Sequence, residues 1–195
     1  MLILDEQYWS NRYSSHTHTW DAGRITTPLK DYIDKLSDKN ISILIPGCGN
    51  SYEAEYLLQN GFSDITLLDM SVFLCRQLQE KLKQFSSKQL QIICTDFFEH
   101  DGQYDLIIEQ TFFCALNPTL RKAYADKMHD LLKPVGKLAG LLFNRAFEHG
   151  PPFGGSEKEY RELFEPCFVI QTMELCVNSI EPRKGSELFI ELCKK

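Results

Sequence analysis

From residue 41 onward, short runs dense in aliphatic residues alternate with longer segments of helical period. They read ISILIP (41–46), a helix-like 51–60, DITLLD (64–69), a helix-like 71–84, LQIICT (90–95), YDLIIE (104–109), a helix-like 118–132 and KLAGLLF (137–143). Runs such as ILI and LII are apolar at every position, as expected of strands covered on both faces in a parallel sheet. The chain is therefore expected to form an α/β sandwich. Boundary signals agree: Ser51 can cap a helix whose Ala54, Leu57 and Leu58 make an inward stripe, and Gly61 suits the left-handed residue that ends it. Pro118 is expected near the first position of the next long helix and Pro134 beyond its end.

The ends of the chain read differently. After the loop HGPPFGG (149–155) come a short helix and the runs CFVIQTMELCV (167–177) and ELFIELC (187–193). Their short link cannot hold a crossover helix, so they should pair antiparallel at one edge of the sheet. Residues 1–40 offer no strand but carry Tyr8, Trp9, Tyr13 and Trp20, followed by a helix opened at Thr27-Pro28. Two tryptophans left in water would form a costly apolar patch, so this segment should pack on the sheet as a cover. With 195 residues and 43% hydrophobic composition the chain can bury one sizeable core, and a single domain over 1–195 is expected.

Charge and composition narrow the partners. Lys and Arg total 21 against 27 for Asp and Glu, a net charge of -6 with no basic cluster, which argues against nucleic acid. No run approaches the roughly 20 apolar residues of a membrane span. MLILDEQYWSNRY meets Asp5 and Glu6 after a few apolar residues, unlike a secretory leader, so a cytoplasmic protein is expected. The seven cysteines (Cys48, Cys75, Cys94, Cys114, Cys167, Cys176, Cys193) contain no Cys-x-x-Cys pair and read as reduced thiols. His16 and His18 have no third ligand nearby in sequence, so no metal is expected.

The chemistry concentrates at strand ends. The first strand runs into Pro46-Gly47-Cys48-Gly49-Asn50-Ser51 and then directly into a helix, a turn whose small residues and free N–H groups let a nucleotide-type ligand approach the backbone. Asp69 ends the second strand at roughly the 20-residue spacing of a ribose-binding acid. Asp96 follows the third strand, where its carboxylate or adjacent backbone can accept from an adenine amino group while Phe97 or Phe98 lies on the ring. Either acid alone also reads as a solvated strand-end residue. Together, Gly47, Asp69 and Asp96 mark the carboxyl edge where open α/β sheets bind ligands.

Position 52 is Tyr, not the third glycine of a dinucleotide fingerprint, and two added antiparallel strands are the usual extension of S-adenosylmethionine-dependent methyltransferase sheets. The chain resembles the thiopurine S-methyltransferase superfamily, most of all the plant-type thiol and halide (thiocyanate) methyltransferases. The matching residues are Trp9, Trp20-Asp21, Gly23-Arg24, Pro28, IPGCGNS (45–51), LLDMS (67–71), TDFFE (95–99), FFCALNP (112–118), RKAYADKM (121–128), LLKP (131–134), GPPF (150–153) and RKGSE (183–187).

This resemblance implies a class I S-adenosylmethionine-dependent, Rossmann-like fold: a mostly parallel seven-stranded sheet with an antiparallel edge strand and a helical N-terminal cover. Carried over by position, it implies cofactor contacts at Trp9, Tyr13, Trp20, Gly47, Asp69, Asp96, Phe97 and Gln110. Tyr13 stands where thiol methyltransferases tend to carry a second Trp, and Gln110 where they tend to carry Tyr and thiopurine enzymes Arg.

The activity implied is methyl transfer from S-adenosylmethionine to a small soft nucleophile: a thiol, sulfide, thiocyanate, halide or thiopurine-like aromatic thiol. Arg24, Phe113, Arg145 and Phe153 are the expected acceptor-side residues; Arg24 and Arg145 read alternatively as structural or surface charges. No catalytic base is assigned. A small-molecule acceptor and a monomer are expected. A nicotinamide or flavin oxidoreductase would use the same glycine turn and Asp69 but leaves the Trp9–Trp20 segment unexplained, and a non-catalytic binding module would keep the fold without the activity.

Overall fold

The computed structural model describes residues 3–195. Met1 and Leu2, the start of the expected cover and of the stretch read as lacking a leader, lie outside the described residues. Among the described residues seven strands form one sheet in the order β3-β2-β1-β4-β5-β7-β6. They are β1 (Ile43–Pro46), β2 (Ile65–Asp69), β3 (Leu90–Cys94), β4 (Tyr104–Gln110), β5 (Leu132–Phe143), β6 (Phe168–Leu175) and β7 (Glu187–Lys194). The first five are parallel; β7 runs antiparallel to both β5 and the outermost β6. The apolar-throughout strands serve two cores because side chains alternate across the sheet. Ile43, Ile45, Leu67 and Ile108 pack on one face with Leu29 and Leu57, while Leu44, Leu68 and Ile107 pack on the other with Tyr124 and Met128.

Among the described residues six α-helices complete the layers: α1 (Glu6–Ser14), α2 (Thr27–Ile33), α3 (Tyr52–Gln59), α4 (Val72–Lys81), α5 (Arg121–Leu131) and α6 (Glu157–Phe164). Among the described residues no helix is long and apolar enough to cross a membrane. The N-terminal segment does cover the sheet. Asp5 caps α1 by accepting from the Tyr8 N–H at 2.9 Å. The helix is fixed on the start of α4 by Ser10 against Ser71 at 2.8 Å and by the Val72 N–H donating to Glu6 at 3.2 Å. That docking sets α1 beside the tip of β2.

Three local expectations change. Ser51 stands at the head of α3 in the left-handed region (φ 47), where its hydroxyl makes no capping bond. Pro118 opens a 3-10 turn (Pro118–Leu120), not the long helix, because Asn117 caps the Thr119 N–H at 3.0 Å and α5 starts only at Arg121. Pro134 lies past α5 as expected but inside β5, which begins earlier than KLAGLLF. The missing N–H is tolerated at an irregularity where Val135 turns left-handed (φ 59) and the pairing with β4 shifts between Tyr104 and Leu106.

Candidate active site

Parallel strands bring their carboxyl ends to one edge, and the strand order reverses between β1 and β4, the switch point where such sheets open a crevice. A cavity of about 820 Å³ lies there, within the range of small-molecule sites. Trp9, Tyr13, Trp20, Gly47, Asp69, Asp96, Phe97 and Gln110 all line it, and so do Arg24 and Arg145.

The floor is the turn after β1. Gly47 and Gly49 adopt φ 54 and 52, and a Cβ on Gly47 would drive into the Phe112 ring, so both conformation and space require glycine at residue 47. Asp69 at the tip of β2 is buried. Its Oδ1 accepts from the Ser71 N–H at 2.9 Å, whereas its Oδ2 receives only a long 3.4 Å contact from the Gly49 N–H and keeps capacity for a ligand. Burial pushes its carboxyl up to about 6 against these backbone donors. Asp96 caps the 3-10 turn Phe97–Glu99 through Oδ1 to the Phe98 N–H, 2.9 Å. Phe97 is held edge-on between Phe98 and Phe112, with centroids 5.2 and 5.1 Å away. At the tip of β4, Gln110 accepts from Thr26 Oγ1 at 2.6 Å, which leaves its amide N–H groups for the cavity.

The roof is aromatic. Trp20 meets Trp9 and Tyr13 edge-on at 5.7 and 6.0 Å. Tyr13 is buried, its hydroxyl facing Gly49, and burial with the nearby Asp69 raises its phenol well above the ordinary value. Asp21 ties the roof to the floor: it accepts from the Asn50 amide and, at 3.3 Å, from the Tyr52 hydroxyl. A bulky residue at position 52 thus serves the cover.

Two expected acceptor residues lie elsewhere. Phe113 is 1% exposed and packs in the core on Tyr124, Tyr160 and Phe164, because the 3-10 turn Phe113–Ala115 sends successive rings in different directions; Phe112 is the one lining the cavity. Phe153 folds back over Gly150 while its N–H bonds the Cys114 carbonyl at 2.6 Å, so Pro151 and Pro152 form that wall in its place. Cys48 and Cys114 are buried with thiols pushed up by burial, poor nucleophiles. Among the described residues no group of three or more His, Cys, Asp or Glu is arranged to hold a metal.

Several site residues were missed. Arg183, buried in the wall, donates to the Trp20 carbonyl and pairs with Glu187 at 3.4 Å; the RKGSE spacing held that i,i+4 pair in plain view. Glu109, fully buried, accepts from the Phe112 and Phe113 N–H groups at 2.9 Å and from the Tyr124 hydroxyl at 2.7 Å, shaping the turn that carries Phe112. An acid ending the apolar run YDLIIE was its signal. Glu53, buried on the first turn of α3, also faces the cavity.

These residues suit an adenosyl ligand. Asp69 has unused acceptor capacity, the turn below it tolerates no side chain at Gly47, and the buried Ser51 hydroxyl has no hydrogen-bond partner.

The comparisons point the same way. The sequence pattern described as Thiopurine S-methyltransferase matches residues 4–191. The chain is 32% identical over 190 residues to "Probable thiol methyltransferase 2" of Arabidopsis thaliana, covering 92% of this chain and 81% of that one. It is 28% identical to "Thiocyanate methyltransferase 1" of Brassica oleracea, covering 94% and 83%. In fold it is similar to a Burkholderia thailandensis 1,6-didemethyltoxoflavin-N1-methyltransferase solved with S-adenosylhomocysteine: TM-score 0.79, 18% identity, covering 97% of this chain and 87% of that one. The protein therefore belongs to the thiopurine S-methyltransferase family of S-adenosylmethionine-dependent methyltransferases.

Proposed function

We propose that the protein methylates a small, soft, anionic nucleophile: a thiolate, hydrosulfide, thiocyanate or halide. The observation that carries this reading is the cavity lining, to which Phe112, Phe143, Phe147, Pro151 and Pro152 contribute apolar surface and Arg24 and Arg145 two exposed cations. Arginines there attract an anion, and the apolar walls strip its water, which raises the reactivity of a polarizable nucleophile. The names of the relatives, thiol and thiocyanate methyltransferases, support the same class.

When bound, S-adenosylmethionine supplies a sulfonium methyl whose bond to sulfur breaks as the acceptor's lone pair forms the new bond. The chain's part is to hold and to exclude. In this reading Asp69 accepts from the ribose hydroxyls, Asp96 and Phe97 hold the adenine, and Gln110 faces the reacting end. Trp9, Tyr13 and Trp20 keep water out and offer ring faces to positive charge, worth about 0.5 to 2 kcal/mol. Orientation supplies most of the acceleration. No side chain need act as base, because a small thiol with pKa ~8.5 provides thiolate on its own.

The reading also makes the protein a one-domain monomer of the cytoplasm with a small-molecule acceptor and no nucleic-acid partner. A net charge of -6 without a basic cluster supports the absence of a nucleic-acid partner. The test is a competition panel with labelled S-adenosylmethionine against iodide, thiocyanate, hydrosulfide and an aromatic thiol, read as kcat/KM ratios. A marked preference for one of the three small anions supports the proposal; preference for the aromatic thiol, or no transfer to any, overturns it.

A further inference from the structure

Glu53 is a buried acid without a counter-cation. It sits at the second position of α3, is 6% exposed and lines the cavity. Among the described residues no side chain hydrogen-bonds its carboxylate and no cation lies within ion-pair distance. The two cations that influence it are engaged elsewhere: Lys81 pairs with Glu55 at 3.1 Å, and Arg183 pairs with Glu187 at 3.4 Å and donates to the Trp20 carbonyl. Asp21 adds a like charge nearby. Burial pushes the Glu53 carboxyl up to about 7. Beside it, the Ser51 hydroxyl is buried and unpartnered. The Glu53 carboxylate is held by its own backbone N–H but by no cation, and a buried acid without a counter-charge beside an orphaned hydroxyl leaves room for one polar, positively charged guest.

The guest follows from the sheet order. With the ribose at Asp69 on β2 and the adenine at Asp96 beyond β3, the donor's amino-acid tail extends the other way, over the Gly47–Ser51 turn after β1 toward the first turn of α3. We propose that Glu53 is the counter-ion of the α-ammonium group of that tail and makes the site select donors that carry it. This deepens the proposed function and rests on its placement of the nucleoside. An ammonium has three N–H donors and no acceptor, which matches a carboxylate better than any neutral group.

The test measures dissociation constants by calorimetry for S-adenosylhomocysteine, its deaminated analogue and 5′-deoxy-5′-methylthioadenosine, on the wild type and on Glu53→Gln. S-adenosylhomocysteine carries the ammonium but a neutral sulfur, so an effect of Glu53 on the sulfonium does not enter. The wild type is expected to lose at least tenfold in affinity when the amine is removed. Glu53→Gln should weaken S-adenosylhomocysteine by at least tenfold and leave the other two within about twofold, which also reports an intact nucleoside site. Should Glu53→Gln fail to fold, the amine-dependent loss in the wild type and a matching loss in Glu53→Asp carry the same test. Equal wild-type affinity with and without the amine, or an equal loss of all three ligands in the variant, overturns the assignment of Glu53 alone. Failure of the wild type to bind any of the three overturns the placement of the nucleoside as well.

Discussion

Arg183 Nη2 donates to the backbone carbonyl of Trp20 at 2.5 Å, while Nη1 of the same guanidinium lies 3.4 Å from Glu187 Oε1. One buried cation thus joins the aromatic cover to the start of β7, across most of the chain. Truncating it strands a buried carboxylate and frees the cover. Arg183→Ala should cost about 3 to 5 kcal/mol in urea unfolding, and adding Glu187→Gln should recover part of that loss. An unchanged urea midpoint in Arg183→Ala would contradict this role.

Buried carboxyls set the pH response. Glu53 and Glu109 are pushed from 4.5 to about 7, and Asp69 from 3.8 to about 6, in each case by burial first. The folded chain therefore keeps protons that the unfolded chain has released, so the stability linked to these groups is full at low pH and declines as pH rises, between 3.8 and about 6 for Asp69 and between 4.5 and about 7 for the two glutamates. Each glutamate contributes up to about 3 kcal/mol to that decline. Glu109→Gln keeps the acceptor for the Phe112 and Phe113 N–H groups and should reduce the difference in unfolding free energy between pH 5 and pH 8. If the variant shows the wild-type difference, Glu109 does not titrate in this window.

At Gly47 two costs add. A side chain there meets φ 54 and the Phe112 ring at once. Gly47→Ala should lose about 2 kcal/mol or more, from roughly 1 to 2 for the left-handed backbone and the rest from overpacking. Combining it with Phe112→Ala should relieve the packing part only. Chemical denaturation of the single and double variants separates the two terms.

In the proposed function Arg145 serves the acceptor. Its guanidinium lies over the Phe147 ring at 4.9 Å and is exposed. Arg145→Ala should raise KM for an anionic acceptor severalfold and leave S-adenosylhomocysteine affinity unchanged. Equal loss in both would move this arginine to the donor side.

The sheet was legible because its strands are apolar on both faces, so Ile43 to Ile45 and Leu106 to Ile108 announce themselves without a partner in view. Gly47, Asp69 and Asp96 were legible because strand ends in a parallel sheet share one edge. What escaped depends on local geometry or on distant contacts. Nothing in FFCALNP tells that a 3-10 turn points Phe112 to the cavity and Phe113 to the core. Ser51 has the residue type of a cap but is turned left-handed by the glycine turn before it. The partner of Arg183 is a backbone carbonyl at Trp20, which no side-chain pattern encodes. Glu53 reads as an ordinary first-turn acid until its burial is known.

The most direct test of the central claim is a crystal structure of the protein with S-adenosylhomocysteine. The ribose hydroxyls should lie within hydrogen-bond distance of Asp69, the adenine against Phe97 and Asp96, and the whole ligand beneath Trp9, Tyr13 and Trp20. A ligand bound on another face of the sheet, or one whose ribose points away from Asp69, would contradict it.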